Sequence, residues 1–294
     1  MAPNTRLATI LLSCMVLPAT AENVFTNGLI YLPIYLGIAS LANVFLTLRA
    51  WQTWAKGQHA ESTCLVTLML SNAAWCVPCF VQCVGTAIQG EFWGGDIGCD
   101  VMGFYSAFAT YSSQMATVLM ALVTHQLVFS SAGPWNHLAL LAAGAFGASA
   151  LLALLPLVGV GSFVKYEGFC YIDYHNTAHC AVWLLVMVPC VLAVLYYYGA
   201  VYKFSALPPK VTQGLVLFWV VFLCGWVLGL PLIFLGLSGS AYPKGLNLTS
   251  AVLGHGMNLV NPILYGVFWH DWFVSNKSTY IVVQPDDDRG EASA

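Results

Sequence analysis

Four polar side chains, His255, Asn258, Asn261 and Tyr265, follow one another at steps of three, three and four along an otherwise apolar run that also holds Pro262. Helical spacing of that kind gathers them on one stripe, which in an apolar setting faces other helices rather than lipid. Proline at 262 has no N–H to donate, so the carbonyl four residues earlier, at Asn258, loses its helical partner. Amide side chains and water can satisfy it instead, and the expected result is a kinked, hydrated hinge. Asn43, Asn72 and Ser113, in other apolar runs, are the expected partners of Asn258 and Asn261. Interhelical bonds of this kind are each worth about 0.6 to 2 kcal/mol, weak enough to exchange between two packings.

Hydrolytic chemistry finds little support. His175 and His179 have the i, i+4 spacing of a His-Glu-x-x-His metal site, but Asn176 stands where the general-base glutamate would be. Beside Asp173 in a loop, the pair is a weak metal candidate, and neither a metal nor another cofactor is expected. No enzyme motif is present.

The elements that must position these residues follow from composition. The 294 residues are 59% hydrophobic and 7% charged, with mean hydropathy +0.77; soluble domains carry about a quarter charged residues. The chain therefore reads as an integral membrane protein embedded in the lipid bilayer. A net charge of −3 with no basic stripe excludes nucleic acid as a partner.

A helix needs about twenty apolar residues to cross the hydrocarbon core. Such runs occur near 28–48, 63–87, 101–129, 136–161, 180–203, 213–237 and 247–268. The fold class expected is an all-α membrane protein, a bundle of seven transmembrane helices. Residues 1–21, with Arg6, a short apolar stretch and Ala19-Thr20-Ala21, have the pattern of a secretory signal. Residues 22–273 form the seven-helix domain, closing on a short juxtamembrane aromatic helix, and 274–294 read as a disordered acidic tail in the cytoplasm.

Lys/Arg placement orients the bundle. With the amino terminus outside and the carboxyl terminus cytoplasmic, Arg49, Lys56, Lys203, Lys210, Lys277 and Arg289 lie inside, whereas only Lys165 and Lys244 lie outside. The sequon at Asn247 then faces outward, close to the last span, as a candidate glycosylation site. Every charged side chain can be placed in a loop, a tail or a span end, Asp100 coming nearest to an exception. A proton pump normally needs a buried carboxylate, so that class is disfavoured. The spans show no inverted repeat, which disfavours many secondary transporters.

Most of the ten cysteines lie in spans and behave there as small apolar residues. Cys99, Cys170 and Cys180 lie at or outside the outer surface, in an oxidising compartment, and spacing does not decide which two pair.

Seven spans in this orientation, ending in Asn261-Pro262-Ile263-Leu264-Tyr265, resemble the G-protein-coupled receptor superfamily. The rhodopsin-like receptors carry Asn-Pro-x-x-Tyr at the inner end of helix seven. Asn43 fits their helix-one asparagine, Pro189 and Tyr197 their helix-five proline and tyrosine, and Cys99 with Gly103-Phe104 the opening of helix three. The resemblance implies a Cys99–Cys170 disulfide clamping the second outer loop. It also implies a switch network of Asn43, Asn72, Ser113, Tyr197, Asn258, Asn261, Pro262 and Tyr265, and a pocket among Ser106, Thr110, Tyr111, Trp226 and His255. Its implied partners are an extracellular ligand and a heterotrimeric G protein, met at Thr124 and His125, at the plasma membrane.

The departures are specific. Asn72 replaces the helix-two aspartate that anchors a sodium site. Val123-Thr124-His125 replaces the Asp/Glu-Arg-Tyr triplet. Trp226 stands five residues before Pro231 where the family spacing is two. Ser106 stands where aminergic receptors carry aspartate, and no span holds a lysine for a retinal Schiff base. Span three is similar also to the cyclic-AMP-receptor-like group, which lacks the same arginine. A channel or carrier for a small neutral solute, and a receptor-like scaffold that binds without coupling, are the alternative functions.

Overall fold

The computed structural model describes residues 24–55, 60–89, 92–129, 137–166, 169–204, 209–227, 229–240 and 244–265. The expected signal segment, the juxtamembrane helix and the acidic tail lie outside the described residues. The helices are α1 (Val24–Ala55), α2 (Ala60–Gln89), α3 (Gly95–Phe129), α4 (Leu138–Leu154), α5 (Thr177–Phe204), α6 (Pro209–Val227), α7 (Gly229–Leu237) and α8 (Lys244–Leu264). A 3-10 turn, Leu155–Val158, extends α4.

Two short strands, β1 (Phe163–Tyr166) and β2 (Phe169–Ile172), join α4 to α5 as an antiparallel hairpin with Lys165 opposite Cys170. The described residues are otherwise helical, in keeping with the helical membrane fold expected, and the hairpin is a local departure from it. The segment read as a plain loop pairs with its neighbour because Phe163-Val164-Lys165-Tyr166 and Phe169-Cys170-Tyr171-Ile172 are rich in aromatic and β-branched residues, which suit a half-buried pleated surface.

The exposed face of α1 shows the solvent for which the bundle is built. Ile34, Ile38, Leu41, Phe45 and Leu48 are exposed at helical spacing, while Leu36, Ala39, Ser40 and Asn43 are buried. Apolar residues outside and polar ones within invert the arrangement of a soluble helix. α4 is apolar all round and buries only Leu138, Ala142, Ser149 and Ala153, so it sits at the periphery. Among the described residues, five segments are long and apolar enough to cross a bilayer: Pro33–Ala55, Ser62–Thr86, Leu138–Val158, Thr177–Lys203 and Thr212–Leu237. This is a multi-pass membrane protein.

α3 and α8 are less apolar because they line the interior. α3 packs against α2, α4, α5 and both strands. Its Ser112, Ser113, Gln114, Thr117 and Thr124 are buried. Thr117 and Thr124 donate their hydroxyls to carbonyls one turn back, Ser113 O and Met120 O, both at 2.8 Å, which makes them tolerable in an apolar setting.

The sixth apolar run, expected as a single span, is one membrane-capable segment, Thr212–Leu237, whose described helical residues are α6 and α7. Within it, Pro231 has no N–H to donate to the carbonyl of Val227.

Candidate functional site

The hairpin is fastened to the first turns of α3. Cys170 and Cys99 form a disulfide with their Cα atoms 5.2 Å apart, and Lys165 Nζ meets Asp96 Oδ1 at 2.6 Å. Asp96 lies one helical turn before Cys99, so both ties fall on one face. The lysine lowers the Asp96 pKa by hydrogen bonding and by its charge. Gly103, one turn further on, lets Phe163 press against the helix; a side chain there would strike the Phe163 ring. Cys180, the rival partner for the disulfide, is a buried free thiol donating to Tyr174 O at 3.2 Å.

Below the hairpin, a cavity of about 50 Å³ lies among α2, α3, α5, α6, α7 and α8, room for a few waters. Tyr171 forms part of its roof, donating to Thr110 Oγ1 and accepting from Trp183 Nε1, both at 3.2 Å. Trp75 stacks on Trp226 with ring centroids 5.7 Å apart and tilts against His255 at 4.9 Å. Among the described residues lining the cavity, none carries an acid, lysine or arginine side chain. Apolar, aromatic walls with a few polar groups are usual for small-molecule sites.

Of the expected pocket residues, Ser106, Trp226 and His255 line this cavity. Thr110 and Tyr111 do not: Thr110 supports the roof through Tyr171, and Tyr111 is fully buried. The reason is helical: Ser106 and Thr110 share a face of α3, and Tyr111 is turned about 100° from it.

Cys79 is a cavity residue that the sequence reading passed over. His255 Nδ1 lies 2.7 Å from Ala251 O, and its Nε2 lies 3.3 Å from Cys79 Sγ. A carbonyl only accepts, so Nδ1 carries the proton and Nε2 offers its lone pair to the thiol. Asn72, Cys76, Cys79 and Cys83 fall at steps of four, three and four, the signal of one inward face.

Asn43 Nδ2 donates to Asn258 O at 2.7 Å and to Ala39 O at 2.7 Å. The carbonyl freed by Pro262 is thus satisfied by an amide from α1. Ser113 Oγ donates to Asn72 Oδ1 at 3.4 Å. These are two separate pairs rather than the single network expected. Asn43 Oδ1, Asn72 Nδ2 and both ends of the Gln114 amide find no hydrogen-bond partner. The Asn258 amide makes no bond to a side-chain oxygen or nitrogen, and beside it lies the Cys76 thiol, a weak partner.

Asn261 and Tyr265 line a second, smaller cavity with Leu65, Leu68, Met120 and Phe218, of about 10 Å³. Tyr197 sits elsewhere, its ring 5.4 Å from that of His125. Thr124 is buried and bonded to its own helix, while His125 also packs on Phe129. His175 and His179 do not form a metal site. His179 is buried against Phe163, whereas His175 Nδ1 reaches Gly236 O at 3.3 Å. No group of three or more ligating side chains able to hold a metal occurs among the described residues. Asn247 stands in the first turn of α8.

No protein-family profile matches the chain, and no curated protein does. Among solved structures it is similar to squid rhodopsin, with a TM-score of 0.67 and 15% identity, over 92% of this chain and 86% of that one. The chain has a G-protein-coupled-receptor-like fold.

Proposed function

We propose that the chain is a plasma-membrane receptor of seven crossings, amino terminus outside, that takes an extracellular ligand into the aromatic cavity and signals to a heterotrimeric G protein. Residues 22–273 make up the working domain, and the protein itself makes and breaks no bond of a metabolic substrate. The observation that carries this reading is the cavity roofed by a disulfide-tethered hairpin, lying above a core of asparagines with unspent hydrogen-bonding capacity. A ligand that contacts one packing of α6 and α8 better than another shifts the population between them. Asn258, Asn261, Pro262 and Tyr265 supply bonds weak enough to exchange.

The test is guanine-nucleotide exchange in membranes holding the wild type or Asn261→Ala, with a panel of G proteins and tissue extracts as ligand sources. Extract-stimulated exchange that Asn261→Ala alters supports the receptor. Solute flux in proteoliposomes without exchange would move the reading to a carrier.

A second reading, a receptor-like protein that binds without coupling, is favoured by one observation. Val123-Thr124-His125 puts a helix-bonded hydroxyl and an aromatic-packed imidazole where the related receptors present an arginine. Normal surface expression with ligand binding and no exchange across the panel would favour it.

A further inference from the structure

In the five membrane-capable segments, one lysine, arginine or acid lies away from a segment end. Lys203 is the last residue of Thr177–Lys203, whereas Arg49 stands in Pro33–Ala55 about 9 Å short of its end, at 1.5 Å per residue. Ionisable side chains at such depth almost always face the bundle interior and pair there. Arg49 does neither. It is exposed on the outer side of α1 with Leu41 and Phe45, and no described side chain forms an ion pair with it. Its guanidinium carbon lies 5.6 Å from the centroid of the Phe45 ring, one turn nearer the middle of the segment. An arginine so placed is long enough to reach the headgroup level while its stem stays in hydrocarbon.

Gln52 and Thr53 stand one turn toward the segment end, both exposed and within about 60° of Arg49 around the helix axis. Thr53 Oγ1 donates its proton to Arg49 O at 3.1 Å, so the hydroxyl has only lone pairs left to offer. The Gln52 amide both donates and accepts. Trp51 and Trp54, with ring centroids 5.0 Å apart, fall at the same level, and tryptophans are enriched where hydrocarbon gives way to headgroups. One helix face thus runs from bare hydrocarbon, through an unmatched cation, to a hydroxyl acceptor and an amide at headgroup depth.

We propose that this face of α1 binds one anionic phospholipid with a hydroxylated headgroup, a phosphatidylinositol. The guanidinium takes the phosphodiester in a bidentate pair. The inositol hydroxyls donate to Thr53 Oγ1 and exchange hydrogen bonds with the Gln52 amide, and an acyl chain runs along Phe45 and Leu41. Charge selects the class of lipid: phosphatidylcholine brings its own cation to the phosphate and leaves the arginine unmatched, whereas phosphatidylinositol brings none. The occupant carries phosphate and hydrocarbon together, because a free headgroup would leave the exposed Phe45 and Leu41 uncovered. In the orientation proposed above, this end of α1 lies in the cytoplasmic leaflet, the one rich in anionic lipid. The inference goes beyond the receptor reading and needs only the multi-pass fold.

The test is native mass spectrometry of the full chain in detergent micelles. It is titrated with phosphatidylinositol, phosphatidylserine and phosphatidylcholine of identical acyl chains, and with glycerophosphoinositol as the free headgroup. The first phosphatidylinositol is expected to bind at least about fivefold tighter than phosphatidylcholine, the measure of one basic side chain at an anionic surface. Phosphatidylserine, which has an ammonium and no hydroxyl, falls between them, and the free headgroup binds weakest. Arg49→Gln brings phosphatidylinositol to the phosphatidylcholine level, while Arg49→Lys keeps part of the preference because a point charge loses the bidentate pair. Thr53→Val lowers phosphatidylinositol toward phosphatidylserine. Lys203→Gln, at the end of α5, changes the preference less than about twofold, well short of what one basic side chain at the site contributes.

The wild-type ranking needs no variant to fold, so phosphatidylcholine or phosphatidylserine binding as tightly as phosphatidylinositol overturns the inference. Glycerophosphoinositol matching the intact lipid does the same, as does an undiminished preference in a folded Arg49→Gln protein or its loss in Lys203→Gln. Lipid is counted here without G protein or extracellular ligand, so absent nucleotide exchange leaves this inference standing. Intact exchange with no preference for phosphatidylinositol sinks it alone.

Discussion

Asn43 Nδ2 on α1 donates at 2.7 Å to Asn258 O on α8, the carbonyl that Pro262 leaves without a helical partner. The two residues are 215 positions apart in sequence. A bond of this type contributes about 0.6 to 1.7 kcal/mol between membrane helices. Asn43→Ala is expected to cost that much, and more if the carbonyl is left buried and unpaired. In a Pro262→Ala background the backbone N–H returns to Asn258 O, so the same substitution should cost less. A double-mutant cycle on thermal unfolding in nanodiscs measures the difference; strict additivity would show that Asn43 is not compensating for the proline.

The Cys99–Cys170 bridge closes a loop of 71 residues in sequence separation. For a free chain that closure is worth about 4 kcal/mol. Helices that persist in a bilayer restrict the reference state, so the paired Cys99→Ser and Cys170→Ser protein is expected to lose about 2–4 kcal/mol. Melting with and without a reducing agent checks it: the reductant should lower the wild-type midpoint and leave the double serine variant unmoved.

Lys165 lowers the Asp96 pKa. A depressed carboxylate contributes stability that is fully present above its unfolded value of about 3.9 and is lost as pH falls through the lower folded value. The Asp96 side chain is 97% exposed, so the effect is small and screened by salt. Lys165→Met should lower the melting midpoint slightly at neutral pH, and the gap from wild type should close below about pH 4. A gap that widens in acid would contradict the assignment.

Gly225 on α6 faces Met257 on α8, and a β-carbon at that glycine would run into the methionine side chain. Gly225→Ala gains helix propensity of about 1 kcal/mol but forces the helices apart, a cost of about 1–3 kcal/mol. Net destabilisation by about 1 kcal/mol or more is expected, relieved when Met257→Ala is added. Failure of Met257→Ala to relieve it, in unfolding of the two single variants and the pair, would locate the strain elsewhere.

The five segments long and apolar enough to cross a bilayer were legible because bilayer thickness sets a length that composition can meet or fail. Pro262 and its asparagines were legible because helical steps define a face. The hairpin was harder: two strands of four residues carry too little alternation to stand out against apolar helices. Cys79 shows another limit. Its place on the inward stripe with Cys76 and Cys83 could be read from spacing, but its partner His255 is 176 residues away, and nothing local links them. Thr110 shares the face of Ser106 but is taken up by Tyr171, a contact 61 residues away in sequence, and Tyr111 is turned about 100° off that face.

α7 is pinned at the hairpin end, where His175 Nδ1 reaches Gly236 O at 3.3 Å. Pro231, which leaves the carbonyl of Val227 without its helical donor, then works as the fulcrum of a lever. α6, with 19 residues, has an arm of about 28 Å at 1.5 Å per residue. A swing of about 10° at the proline carries its far end about 5 Å, close to one helical turn. A displacement too small to unseat the hairpin therefore becomes, at the opposite end of the bundle, one large enough to admit or expel another side chain.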